Sequence, residues 1–298
     1  MRAMRLNDVE VVSPASLKDA LNVLHERSDR IKPIAGSTDA IIQLKEGLLQ
    51  TKELLDISNM RDLRYILREG SKIRVGALST YSDIIESSVL KSSCRMLVDA
   101  CRTIGTPQIQ SRATIGGNLG NASPAGDSIP PLYVLDATVK VQSRERTRQI
   151  PIEKFFLDYR KIDLRPDELI TEISFEAVEK ACDAMFLKLG LREAHFISLV
   201  NIAVWVRWAP DGASFSDARV AMGAVAPVVV RARKCEELLR NRRLSEDVIW
   251  QAGHIASNES SPISDVRASA DYRRAVIPSL LYKAVHTLID YRRAWEKP

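Results

Sequence analysis

The sequence predicts an α+β protein: a small α/β unit, a mixed α+β unit, and a C-terminal α+β domain with a small antiparallel sheet and helices. Three observations lead there. Helical and strand-like periodicities alternate over the N-terminal segment, short strands separated by turn residues dominate the middle, and an alternating strand pair followed by amphipathic helices fills the last third. A chain of 298 residues holds two or three units at the usual size of about 100–200 residues per domain.

Residues 16–26 place Leu17, Ala20, Leu21 and Leu24 on one helical face, with Ser16 as N-cap. Ile31 to Ala35 then reads as a short buried strand, GSTD as a turn, and AIIQLKEGLL as a helix lined by Ile41, Leu44 and Leu48. A strand over Glu53 to Ser58 completes an α/β unit ending near residue 60, as in a parallel crossover. Over 61–178 the expected elements are a strand at KIRVGALST, helix over 81–104, a long loop from Ala113 to Ser128, strands at DATVKVQS and RQIPI, a helical stretch, and a strand at LITEISF. Over 183–295, a strand around Ile202 to Arg207 turns at Asp211-Gly212 to pair with ARVAMGAV, giving a sheet of two or three strands; helices follow over 231–240, 245–256 and 271–292, with Ser245 and Asp271 as N-caps.

Apolar residues at 45% and charged residues at 27% exclude a disordered chain. The net charge of +5, from 43 basic and 38 acidic residues, is spread along the chain. Nucleic-acid binding would need a denser basic stripe interleaved with aromatics. No apolar run approaches the roughly 18 residues of a membrane helix, and the N-terminus carries acids where a signal peptide is apolar; a cytoplasmic protein is expected. Cys94, Cys101, Cys182 and Cys235 form no CxxC pair and stand near no histidine at metal spacing, so they read as buried free thiols and no metal site is expected.

Two segments could hold an anion. Ile34, Ala35, Gly36, Ser37, Thr38 and Asp39 lie where a strand ends and a helix begins, where unpaired N–H groups and the helix dipole favour phosphate. The alternative is an ordinary turn capped by Thr38 or Asp39. Between Ala113 and Asp127 four glycines occur in fifteen residues; the adjacent Gly116 and Gly117 permit positive φ and a pyrophosphate nest. The alternative is a glycine-rich connection without a ligand. Neither GxGxxG nor GxxxxGK[ST] is present, which removes the main support for nicotinamide-Rossmann and P-loop proteins.

TIGGN followed by ASPAGDS, with AGSTD and VGALST upstream, resembles the FAD-binding medium subunit of the xanthine dehydrogenase and carbon monoxide dehydrogenase flavoprotein family. TPQIQSRATIGGN, FLKLGLREAHFIS, VAMGAVAPVVVRA and PISDVRASADYRRAV extend the resemblance over the whole chain. It implies a two-subdomain PCMH-type FAD-binding domain over 1–178 and a flavoprotein C-terminal domain over 183–295. It implies that FAD pyrophosphate is clamped by Ile34 to Asp39 and by Thr114, Ile115, Gly116, Gly117 and Asn118, with Asp127 on the sugar region, Ile170 as a wall beside the flavin, and Lys188 as a cationic contact. Asp127 could instead cap a helix, Ile170 be plain core and Lys188 a solvated strand residue; Phe196 could face the isoalloxazine or pack in the core.

The resemblance further implies electron transfer from a small partner subunit with two [2Fe-2S] clusters to FAD and on to NAD or oxygen. The organic substrate would be oxidised on a molybdopterin-binding large subunit, in a dimer of heterotrimers. Two other expectations compete: a free-standing flavin oxidoreductase, and a structural subunit that has lost FAD. Departures from the family pattern are Ser37 for the second glycine of AGGTD, Ala40 for leucine, Gln110 for arginine, and His195, read as a plain hydrogen-bonded histidine. A positive φ at Ser37 would carry strain.

Overall fold

The computed structural model describes residues 9–192 and 196–295. The first sheet contains β1 (Glu10–Val12), β2 (Ile31–Ile34) and β3 (Glu53–Asp56) in the order β1-β3-β2, all parallel. Parallel neighbours need crossovers, supplied by α1 (Leu17–Arg27) and α2 (Ala40–Lys45). Ser16 caps α1 by accepting from the Asp19 amide, and Ala20, Leu21 and Leu24 are buried as their spacing predicts. The second helix is shorter than expected: it stops at Lys45, the chain turns at Gly47 (φ +73°), and Leu48 is 67% exposed. Strand β1 is an addition, too short to show an alternation.

The second sheet is antiparallel. Its strands are β4 (Ile66–Glu69), β5 (Lys72–Gly76), β6 (Thr138–Gln142), β7 (Thr147–Pro151) and, after the hairpin of β8 (Phe156–Asp158) and β9 (Lys161–Ile162), β10 (Leu169–Glu176). The order β4-β5-β10-β6-β7 makes β10 central. Strand β4 was hidden by its charged LRE sequence. The expected helix over 81–104 is three: α3 (Tyr81–Glu86), α4 (Ser88–Ser93) and α5 (Arg95–Arg102). Local caps divide it, since Thr80 forms a capping box with Asp83 and Ser87 caps α4. The expected loop from Ala113 to Ser128 contains α7 (Ile115–Asn121), preceded by α6 (Pro107–Gln110) and followed by α8 (Ile129–Val134). Thr106 and Thr114 cap α6 and α7, and those caps outweigh the low helix propensity of glycine. The helical stretch after β7 is a single turn, α9 (Ile152–Phe155).

The third sheet has four strands where two or three were expected: β11 (Cys182–Leu189), β12 (Val200–Trp208), β13 (Phe215–Gly223) and β14 (Val230–Arg231), in that order and antiparallel. Strand parity assigns its two faces. Val200, Ile202, Val204 and Val206 pack in the core with α11 (Glu246–Asn258) and α12 (Ala270–Trp295), whereas Ala203 and Trp205 join the core of the second sheet. The sheet is thus buried on both sides, behind α10 (Arg233–Leu239), α11 and α12 on one face and against α5 and α8 on the other. Ser245 caps α11 as expected; α12 begins before Asp271, and Ser269 accepts from the Tyr272 amide instead. All four cysteines are buried and unbridged. Among the described residues no helix is long and apolar enough to cross a membrane, and no cluster of three metal-ligating side chains occurs.

A buried charge network closes the contact between the second and third sheets. Glu236, fully buried, accepts from Arg231 (Nε to Oε1, 2.6 Å) and from the Val220 amide (2.9 Å). Arg231 also donates to the Tyr133 carbonyl (3.0 Å) and Asp136 (2.8 Å) beyond the sheet. Removing one member leaves a buried charge unpaired, so Glu236→Ala should lower unfolding free energy by about 3–5 kcal/mol, measured by urea denaturation. A loss below about 1 kcal/mol would show that water or a neighbour replaces the carboxylate.

Candidate functional site

A cleft of about 650 Å3 opens where the three sheets meet, a size suited to a large organic ligand. It is lined by the turn from Ile34 to Ala40, by Thr114, Gly116, Gly117 and Asn118, by the Gly126–Asp127 turn, and by Ile170, Lys188 and Phe196. Of the fourteen residues expected to bind cofactor, Ile115 alone is absent from the lining; it is fully buried in the core beneath α7.

The two turns, far apart in sequence, meet at Gly36. A Cβ on Gly36 would stand 1.9 Å from the Arg112 carbonyl oxygen and 3.0 Å from the Ala113 Cα, so only a glycine allows this approach. A second tie runs through Gln43, whose Nε2 donates to Asp39 Oδ2 (2.6 Å) and to Asn121 Oδ1 (3.0 Å) at the end of α7. Asp39 therefore braces the turns and makes no side-chain cap to α2. Among the described residues, no protein acceptor takes a hydrogen bond from the amides of Gly36, Ser37, Thr38 and Asp39. Four donors left open in one tight turn are what an anionic oxygen cluster requires. Ser37 holds this shape at φ +60°, with its hydroxyl donating to the Ala35 carbonyl at 3.2 Å; the expected left-handed backbone is present on a residue with a Cβ.

The glycine-rich segment works differently from the expected nest. Gly116, Gly117, Gly120 and Gly126 are not among the residues at positive φ. The amides of Ile115 and Gly116 donate to Ser79 and Ala77 carbonyls, and those of Gly117 and Asn118 to the Thr114 hydroxyl and carbonyl. Gly116 instead permits close packing, because a Cβ there would lie 2.7 Å from Ala77. Gly117 and Gly120 leave backbone bare toward the cleft, with Gly120 beside Ile170. Ile170, 8% exposed, sits at the bulge where β10 shifts register against β6, which aims a core residue at the cleft.

Asp127 is 5% exposed and Lys188 is buried beside it. Lys188 Nζ donates to Asp127 Oδ2 (2.6 Å) and to the Thr103 carbonyl (2.9 Å), and stands 4.4 Å from the centre of the Phe196 ring. Ser198 and Asn201 donate to the other carboxylate oxygen at 2.5 and 2.7 Å. Sheet register explains the convergence. Lys188 opposes Asn201, Asn201 opposes Gly223, and all three continue the face that carries Phe186 and Ala203. Gly223 leaves room for Asn201, since a Cβ there would lie 2.2 Å from Oδ1. Burial pushes the Asp127 carboxyl up, while Lys188 and the two hydrogen bonds oppose that rise.

Asp127 is accordingly no helix cap, and Lys188 is neither solvated nor an unpaired cation. Ser198, Asn201 and Thr103 were not anticipated. A polar residue on the buried parity of an apolar strand, as Asn201 is in VNIAVW, was the available signal. His195 lies outside the described residues.

Lys188→Met leaves the carboxylate buried without its cation and should cost about 3–5 kcal/mol in urea unfolding. The Asp127→Asn, Lys188→Met double variant should recover part of that loss, and strictly additive losses would refute the coupling. Ser37→Gly should raise stability by up to about 1 kcal/mol by removing the left-handed strain; a lowered thermal midpoint would show that the hydroxyl outweighs it.

The model of the family described as FAD binding domain in molybdopterin dehydrogenase matches residues 7–175, and that of the CO dehydrogenase flavoprotein C-terminal domain matches 186–288. The chain is 30% identical to the xanthine dehydrogenase FAD-binding subunit of Escherichia coli O157:H7, over 91% of this chain and 92% of that one. It is 31% identical to the glyceraldehyde dehydrogenase medium chain of Sulfolobus acidocaldarius, over 92% and 95%. The fold is similar to carbon monoxide dehydrogenase from Hydrogenophaga pseudoflava, with a TM-score of 0.91 and 26% identity over 95% of this chain and 98% of that one. The open amides of the first turn, the bare glycine backbone facing them and the apolar wall at Ile170 fit FAD. The chain belongs to the FAD-binding family of molybdopterin dehydrogenases and is the FAD-binding subunit of an oxidoreductase of the molybdenum hydroxylase class.

Proposed function

We propose that the chain is an electron-transfer subunit, standing between the [2Fe-2S] clusters of a small partner subunit and an acceptor such as NAD or oxygen. The organic substrate is oxidised on a molybdopterin-binding large subunit, and the three chains pair as a dimer of heterotrimers in the cytoplasm. The names of the relatives, FAD-binding subunit and medium chain, support the division of labour. Four buried, unbridged cysteines accord with a reducing compartment. The proposal includes an FAD-binding domain over 1–178, with subdomains meeting near 60, and a C-terminal domain over 183–295; three separate sheets, with a further core between the third sheet and the C-terminal helices, support it.

FAD, when bound, supplies the capacity to accept electrons singly or in pairs. The protein's part is to bind it, orient it and set its surroundings. The observation that carries this reading is the meeting of the turns at Gly36, which puts four residues whose amides lack a protein acceptor in the lining of the same cleft as the glycines of α7. Gly36, Ser37, Thr38 and Asp39, flanked by Ile34 and Ala35, would hold the diphosphate. Thr114, Ile115, Gly116, Gly117 and Asn118 would form the facing wall, with Ile115 acting from the core. Asp127 and Lys188 would bound the sugar and ring region, and Ile170 and Phe196 would flank the ring. Because Lys188 is ion-paired with Asp127, the pair presents a dipole to the cleft in place of a net positive charge.

Gly36→Ala tests the reading by pushing a methyl group into the Arg112 carbonyl. The purified variant should retain about a tenth or less of wild-type flavin while remaining folded by circular dichroism; full flavin content would place the cofactor elsewhere. In the assembly assay the wild-type chain should oxidise an aldehyde or purine only after reconstitution with both partner subunits. Oxidation by the chain alone would refute the subunit assignment.

A further inference from the structure

Arg273 of α12 lies outside the lining of the cleft, yet its guanidinium reaches the carbonyls of two residues joined to the contacts of the Asp127 turn. The residue is 2% exposed. Its Nη1 donates to the Leu199 carbonyl (2.8 Å) and the Ala224 carbonyl (3.1 Å), and its Nη2 to Asp265 Oδ1 (2.8 Å). Leu199 follows Ser198, whose hydroxyl holds Asp127, and leads into the strand that carries Asn201. Ala224 follows Gly223 in the left-handed region at φ +61°, and its amide donates to the Pro124 carbonyl at 2.8 Å. One buried cation therefore ties the chain that grips Asp127 to the chain that grips Pro124, three residues before it.

Asp265 supplies the counter-charge. Its carboxylate accepts from the Arg267 side chain and from the amides of Arg267 and Ala268. Burial pushes the Asp265 carboxyl up, but Arg267, these amides and Arg273 outweigh that and hold it well below the usual range. A carbonyl buried without a donor is costly, and here a charge-assisted donor serves two at once.

We propose that Arg273 is a positioning residue of the FAD site, acting through the Leu199 and Ala224 carbonyls to set where Ser198, Asn201 and Pro124 hold the Asp127 turn. The inference rests on the FAD assignment of the cleft and deepens it. Arg231 is the matched control: a buried arginine of the same sheet that ties it to Tyr133 and Asp136 and takes no part in the lining.

The test titrates FAD into the flavin-depleted full chain, following flavin fluorescence, and records the thermal midpoint of each flavin-free variant. Arg273→Met should weaken FAD binding by about tenfold or more, and Arg273→Lys, which keeps a charged donor for one carbonyl, by an intermediate factor. Arg231→Met should lower the midpoint comparably with FAD affinity within about twofold of wild type. Should Arg273→Met not fold, the intermediate loss in Arg273→Lys carries the test alone. Wild-type affinity in both Arg273 variants, or equal weakening in the Arg231 and Arg273 variants, overturns the inference. A wild-type chain that takes up no FAD overturns the underlying assignment and the inference with it.

Discussion

The row of Lys188, Asn201 and Gly223 across three neighbouring strands must seat one carboxylate and one turn of the glycine-rich segment, and the rest of the cleft follows from that seat. A lysine opposite an asparagine gives two donors on one face, and the glycine beside them leaves the asparagine room. The carboxylate they receive belongs to the turn that leaves α7, so α7 is docked at one end by Asp127 and at the other by the Ala77 and Ser79 carbonyls. With α7 fixed, the Arg112–Ala113 backbone in front of it has one place to lie, and the Gly36 turn packs against it. Three hydrophobic cores thus meet around a gap whose edges are hydrogen-bonded.

Charge is handled the same way on both sides of the third sheet. Asp127 with Lys188 and Glu236 with Arg231 each bury an acid beside a base, and the partly exposed Asp265 pairs with the buried Arg273; each acid is completed by further hydrogen-bond donors. Such pairs are weak evidence of net stabilisation, because desolvation offsets most of the Coulomb attraction. Their effect is geometric. A displaced partner leaves a buried charge alone, so alternative packings of the sheet against its neighbours are strongly disfavoured.

Much of the fold was legible in the sequence where one physical signal sufficed. Ser16 and the Leu17, Ala20, Leu21, Leu24 stripe fixed α1, and the DATVKVQS and RQIPI alternation fixed a hairpin. What was missed depended on pairing or on capping against propensity. Strand β4 is charged and is recognisable only through its partner β5; α7 carries three glycines and is held by the Thr114 cap and by bonds to Ala77 and Ser79, which no local pattern reveals. At the site, both segments named by the anion-turn argument line the cleft, but only the less glycine-rich turn keeps its amides open, and the glycine-rich one spends them on packing. Asp127 and Lys188 were expected to meet a ligand separately, and their mutual bond arises from strand register that a single sequence does not print.

A cleft formed at the meeting of three cores couples ligand to fold. The first sheet reaches the others through the Gly36 contact, the Gln43–Asn121 bond and a hydrophobic group that includes Leu78 and Leu169, while the second and third share a continuous apolar core. A ligand that spans the first turn and the Asp127 wall adds a further link across the same junction. By mass action it stabilises the arrangement that binds it, by about 2.7 kcal/mol at a hundredfold excess over its dissociation constant. The strain at Ser37 is tolerable for this reason: its left-handed backbone is held from both sides of the turn, by Gly36 packing before it and by the Asp39–Gln43 bond after it. The four amides without a protein acceptor offer an anion in their turn a ready set of donors, so binding energy is concentrated where the first sheet joins the other two.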